Sequence, residues 1–133
     1  MNANNQPVVL IVDDVPLNVL LIQKMLSKQP YELRTANNGQ QALDAIAAEK
    51  PDLILLDLMM PGIDGFEVLR RVRSNPETAE IAVVILSALN SNEDIVKGFD
   101  MGANDFITKP IIMQRLLSSV STQLQLAAAK AKQ

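Results

Sequence analysis

The chain has 133 residues, 48% of them hydrophobic and 20% charged, with a net charge of −3; this is the composition of one globular domain, long enough to bury a core. It has neither cysteine nor histidine, which excludes disulfides, thiolate chemistry, imidazole bases and His- or Cys-held zinc, so any metal must be a hard cation bound by oxygen. No long basic block argues for direct nucleic-acid binding, no apolar run approaches membrane-spanning length, and the polar start Met1 to Pro7 lacks a signal-peptide core, so a cytoplasmic location is the default, with residues 1–7 read as a disordered segment.

Strand and helix signals then alternate. Val8 to Val12 is all β-branched or leucine and reads as a buried strand. Pro16 sits near the start of a helix, where its missing N–H costs little, and Val19, Leu20, Ile22, Met25 and Leu26 are its expected buried stripe. Pro30 stops it. Tyr31 to Ala36 alternates as a strand, and Asn37-Asn38-Gly39 turns into a second helix with Ala42, Leu43, Ile46 and Ala47 inward. After Pro51, Leu53 to Leu56 forms a third strand ending at Asp57.

A loop from Met59 to Gly65 follows, and a third helix begins near Asp64 with Phe66, Val68, Leu69 and Val72 inward. Asn75-Pro76 ends it. Ile81 to Leu86 is a fourth strand finishing at Ser87, and Ser91 with Asp94 forms a variant capping box for a fourth helix. Gly102 ends that helix, and a fifth strand covers about Asp105 to Thr108. The last helix runs from about Ile112 with Leu116, Val120, Leu124 and Ala128 at four-residue spacing, and its final turns, over 127–133, are read as a helical extension or tail projecting beyond the body. Five strands alternating with five helices predict an α/β fold, a parallel sheet covered on both faces.

Three of the predicted strand ends carry chemistry. The first runs into Asp13-Asp14, the third into Asp57 and the fifth into Lys109-Pro110. Open α/β sheets place their ligands beyond the carboxyl ends of the strands, so three carboxylates and a lysine there suggest a metal-assisted phosphate site. Each group also has a plainer reading taken alone. Asp57 is a turn former or helix cap, Asp13-Asp14 a solvated acidic turn, Lys109 an ion-pair partner, Ser87 a strand terminator and Phe106 a core residue.

Together with Ser87-Ala88, Phe106, the loop Leu58-Met59-Met60-Pro61-Gly62-Ile63-Asp64-Gly65 and the stretch Gly102-Ala103-Asn104-Asp105-Phe106, these residues resemble the receiver domains of two-component response regulators. The resemblance spans roughly Val8 to Val120, and the receiver domain is taken as 8–126. It implies a flavodoxin-like doubly wound sandwich of strand order 2-1-3-4-5, the order to which chemotaxis receivers of this family conform.

It also implies roles. Asp57 is the phosphoacceptor, forming an aspartyl phosphate. Asp14 and Asp57 bind Mg2+ (or Mn2+) directly, the Met59 backbone carbonyl adds a ligand and Asp13 acts through water. Lys109, brought toward the site by a cis bond to Pro110, pairs with a phosphoryl oxygen. Ser87 hydrogen-bonds the phosphoryl group, and Phe106 turns inward into the space vacated. Ala88 leaves the phosphate accessible. Met59 and Leu89, two residues beyond Asp57 and Ser87, flank the path of the hydrolytic water.

On this reading the chain is a phosphorylation-operated switch rather than an enzyme acting on a separate substrate. It takes its phosphoryl group from a histidine kinase or histidine phosphotransfer protein and signals to a downstream effector or output domain through the face of helix four, strand five and helix five. A phosphorylation-dependent homodimer is a further expected partner. The rivals are a phosphohydrolase with an aspartate nucleophile, which needs a second acid/base carboxylate where Met59 stands, and an interaction module independent of phosphorylation.

Overall fold

The structure is a computed structural model that describes residues 5–131. Among these, five strands and five helices alternate: β1 (Val8–Val12), α1 (Pro16–Leu26), β2 (Glu32–Ala36), α2 (Gly39–Ala48), β3 (Leu53–Asp57), α3 (Gly65–Ser74), β4 (Ala82–Ser87), α4 (Asn92–Asp100), β5 (Asp105–Thr108) and α5 (Met113–Ala131). All pairings are parallel, in the order β2-β1-β3-β4-β5. This is the flavodoxin-like order expected from the resemblance.

Every residue of β1, β3 and β4 is buried, because helices cover both faces of the sheet. Alternation along the strands divides the core in two. Val9, Ile11, Leu53, Leu55, Val84 and Leu86 pack with α1 and α5, while Leu10, Val12, Ile54, Leu56, Val83 and Ile85 pack with α2 and α3. Truncating one fully buried side chain, Leu55→Ala for example, costs about 3 kcal/mol, the transfer term plus a residual cavity.

Local signals set the helix starts. Pro16 opens α1. Asn38, Asp64 and Ser91 cap α2, α3 and α4, each side chain accepting the N–H three residues on. At α4 the Ser91 hydroxyl also donates to the Asp94 carboxylate, 2.7 Å away, so Asp94 binds the cap side chain.

Three apolar positions expected inward are exposed. Leu20 is 48% exposed, because the buried line of α1 is Val19, Ile22 and Leu26 and Leu20 lies about 100° round from Val19. Ala47 is likewise exposed beside buried Ile46. In α5 the stripe fades outward, with Leu116 and Val120 fully buried, Leu124 half-buried and Ala128 exposed. The expected disordered segment falls partly on residues 1–4, and the expected tail partly on 132–133, outside the described residues. Of the rest, the Pro7 carbonyl accepts the Glu32 N–H at 2.9 Å, and Lys130, in the exposed last described turn of α5, forms an ion pair with Glu80 ahead of β4.

One clamp gave no sequence signal. Arg73, near the end of α3, donates to the carbonyls of Gly102 (2.9 Å), Ala79 (3.1 Å) and Ile81 (2.6 Å) and to Asn104 Oδ1 (2.9 Å). Asn104 Oδ1 also accepts the Val83 N–H at 2.8 Å. The clamp joins α3, the start of β4 and the turn after α4, where Gly102 takes a φ of +103° that suits glycine. Burial depresses the guanidinium's pKa, as expected for a cation held by neutral acceptors.

Candidate functional site: an acidic cluster at the strand ends

With every strand parallel, the carboxyl ends of all five meet along one edge of the sheet. Asp57 is in register with Leu86, and Ser87 with Thr108, so the groups that follow β1, β3, β4 and β5 arrive at one level. One oxygen from each of Asp13, Asp14 and Asp57 lies within 4.8 Å of the other two. Clustered carboxylates repel one another unless a cation neutralises them, and an all-oxygen donor set suits a hard divalent ion. The residues present therefore fit a site of the Mg2+ or Mn2+ type.

The three carboxylates differ in setting. Asp13 is 2% exposed. Its Oδ1 accepts the Val15 N–H at 2.9 Å, closing the turn into α1, and its Oδ2 lies 3.2 Å from Lys109 Nζ. Asp14 is half-buried and forms no hydrogen bond or ion pair among the described residues. Asp57 is 5% exposed. Its Oδ1 accepts the Met59 N–H at 3.2 Å, and its Oδ2 lies 3.6 Å from Lys109 Nζ. Burial pushes the Asp57 carboxyl above its ordinary range; the Met59 N–H and Lys109 pull it down, while the charges of Asp13 and Asp14 add to the rise. A buried carboxylate perturbed in this way is a mark of a functional site.

Lys109 follows β5 and is joined to Pro110 by a cis peptide bond. Its ion pairing with Asp57, the plainer role read from sequence, is present, but Asp13 lies closer. Ser87 is fully buried, and its Oγ accepts the Leu89 N–H at 3.0 Å. A hydroxyl that accepts there keeps its proton to donate elsewhere. Ala88 is exposed, Leu89 half-buried and Met59 56% exposed.

Phe106 stands apart from this group. It is 8% exposed and lies in the core on the α2–α3 face, so its ring already occupies the inward position. Two groups were missed by sequence reasoning. Gly65 lies so close to β3 that a Cβ there would sit 2.3 Å from the Asp57 carbonyl oxygen, and its N–H bonds the Leu58 carbonyl at 3.1 Å. An apolar hollow beside Lys109 and Pro110 is lined by Leu21, Ile22 and Met25 of α1, with Leu17 and Ile112 exposed on the same helix and loop. The exposure of leucines on α1 was the available signal, masked by reading Leu20 as core.

Comparison with known proteins agrees with the geometry. The chain is 47% identical over 103 residues to the response regulator PleD of Caulobacter vibrioides, an alignment covering 77% of this chain and 23% of PleD. It is 35% identical over 116 residues to PilH of Pseudomonas aeruginosa, covering 87% of this chain and 96% of that protein. A signal receiver domain from Vibrio parahaemolyticus superposes with a TM-score of 0.90 at 32% identity, covering 95% of both chains. The chain thus spans about a quarter of the length of PleD but nearly all of PilH. Residues 9–121 match the family model of the response regulator receiver domain, and with the fold and the strand-end cluster this makes the chain a member of the receiver domain family of two-component response regulators.

Proposed function

We propose that Asp57 accepts a phosphoryl group from the phosphohistidine of a histidine kinase or histidine phosphotransfer protein, and that the aspartyl phosphate drives a change at the face of α4, β5 and α5. The observation that carries this reading is the meeting of three carboxylates within 4.8 Å with one ammonium, 3.2 Å from Asp13 and 3.6 Å from Asp57. An Asp57 oxygen attacks phosphorus, the phosphorus–nitrogen bond breaks, and the electron pair leaves with the donor imidazole. The Met59 N–H orients the carboxylate through Oδ1, and Lys109 is placed to pair with a phosphoryl oxygen.

Asp14 and Asp57 would hold Mg2+ directly, with the Met59 carbonyl as a further ligand and Asp13, its oxygens already engaged, acting through water. When bound, the cation neutralises the carboxylates and offsets the charge of the transferring group. Ser87 keeps a hydroxyl proton for a phosphoryl oxygen, and Ala88 leaves that approach open. The apolar hollow beside Lys109 suits contact with the donor protein. A cytoplasmic location and an output partner belong to the same reading; no helix of the described residues is long and apolar enough to cross a membrane.

The test is direct. A small phosphodonor with Mg2+ adds one phosphoryl mass to the wild type and none to Asp57→Ala, and chelation suppresses the addition. A full mass shift in Asp57→Ala overturns the assignment.

A further inference from the structure

α4 meets the core through Gly98 and the half-buried Ile95. Of its nine residues only Gly98 is buried, and Val96 and Phe99 on either side are 56% and 46% exposed. A Cβ built on Gly98 would lie 2.9 Å from Ile85 Cδ1 and 3.1 and 3.3 Å from Phe106 Cδ2 and Cε2. Ile85 and Phe106 are register partners on β4 and β5, so two neighbouring side chains converge on the spot where residue 98 has none. Its neighbour Lys97 sets the helix laterally, with Nζ 4.1 Å from the centre of the Phe66 ring on α3.

The backbone does not call for glycine here. Gly98 lies inside a helix and outside the left-handed region, where alanine is the better helix former. What requires glycine is space. Ile85 Cδ1 is the end of a flexible chain and yields by rotation, whereas the two Phe106 atoms form one rigid ring edge.

We propose that Gly98 is a positioning residue for the switch: the missing side chain admits the Phe106 ring between β5 and α4, and so sets both the ring's inward position and the distance of α4 from the sheet. This rests on the reading of Ser87 and Phe106 as a phosphorylation-coupled pair. It goes beyond that reading by locating the control of the ring on α4, away from the acidic cluster.

The experiment uses Gly98→Ala and Gly98→Val, each also in a Phe106→Ala background. With three phenylalanines in the chain, the ring resonances are separable by NMR without any phosphodonor. Phe106 should shift more than Phe66 and Phe99 in both variants and lose its contacts to the Ile85 methyls. Unmoved Phe106 signals overturn the proposal. Gly98→Ala should leave Tm unchanged or lower it while the ring is present, and raise it by about 4 °C once Phe106→Ala has removed the ring, because the helix-propensity gain is then unopposed. A change of the same sign and size in both backgrounds shows that residue 98 acts without the ring, and sinks the idea.

Phosphorylation of Gly98→Ala should proceed at Asp57, with the amide-shift response of α4 reduced about twofold or more, as contacting residues couple at that level. An undiminished response counts against the proposal. Failure of the wild type to take up a phosphoryl group bears on the receiver chemistry alone, since the ring and stability measurements do not depend on it.

Discussion

The ammonium of Lys109, carried just past β5, stands 3.6 Å from the carboxylate of Asp57 at the end of β3, two strands away. It reaches across the end of β4, so a single side chain spans much of the site. Removing it leaves Asp57 without its nearest positive charge. Lys109→Ala is expected to keep Mg2+ binding, because the three carboxylates remain, and to slow phosphoryl uptake by about 100-fold, the usual scale for losing one charge-stabilising group. Mg2+ titration and phosphorylation kinetics separate the two effects; equal loss in both contradicts the assigned role.

Asp57 also makes stability depend on pH. Its carboxyl is raised by burial, so in the window between its unfolded pKa and its raised folded pKa the folded state binds more protons. Stability attributable to Asp57 therefore falls as pH rises through that window, and above it the ionised carboxylate is a net cost. In chelator at pH 7, Asp57→Asn is expected to raise Tm by a few degrees, with the gain vanishing below pH 4. Mg2+ should raise the wild-type Tm and have much less effect on Asp14→Ala. An Asp57→Asn gain that persists unchanged at low pH overturns the account.

Lifetime is expected to depend on Met59 and Leu89. Neither side chain can orient water by a strong hydrogen bond, and positioning supplies much of catalysis in phosphoryl transfer. Self-dephosphorylation of the wild type should be slow, and Met59→Asn or Leu89→Glu should speed it by about 100-fold, the low end of general acid–base effects. Decay of purified phosphorylated protein measures this directly. Identical decay in all three shows that these two side chains do not set the lifetime.

The Arg73 clamp lies at the other end of the sheet and should matter for stability alone. Arg73→Ala strands the carbonyls of Ala79, Ile81 and Gly102, and is expected to cost about 3 kcal/mol, or about 10 °C in Tm. Arg73→Lys should recover little, since an ammonium cannot present the same fork of donors. Phosphoryl uptake at 20 °C should be unchanged in Arg73→Lys.

Much of this architecture was legible because its causes are local. The runs Val8–Val12, Leu53–Leu56 and Ala82–Leu86 are apolar since both faces of the sheet are covered, and the caps Asn38, Asp64 and Ser91 announce the helices they open. Asp13, Asp14, Asp57 and Lys109 could be assembled because a parallel sheet brings strand ends together whatever their separation in sequence. Partners supplied by distant backbone were not legible. Arg73 is bound by carbonyls, which no residue type reveals. Gly98 reads as a weak point in a helix until Phe106 is seen against it. Leu20 was taken inward because the stripe of α1 was drawn one residue too wide, and the exposed leucines of α1 then lost their meaning as surface.

The approach of Gly65 to β3 has a wider consequence. The loop after Asp57 leaves the strand and returns to it, closed by the Gly65 N–H on the Leu58 carbonyl, with the Gly65 Cα pressed against the Asp57 carbonyl. Residues 59–64 thus form a pendant ring whose two ends are fixed at one point. The exposed Met59 side chain on that ring can change in size, charge or polarity while Asp57 keeps its place, whereas Met60 is held in the core and Asp64 at the start of α3. On the proposed reading, the lifetime of the phosphoryl group can then be tuned at position 59 without displacing the carboxylate that accepts it.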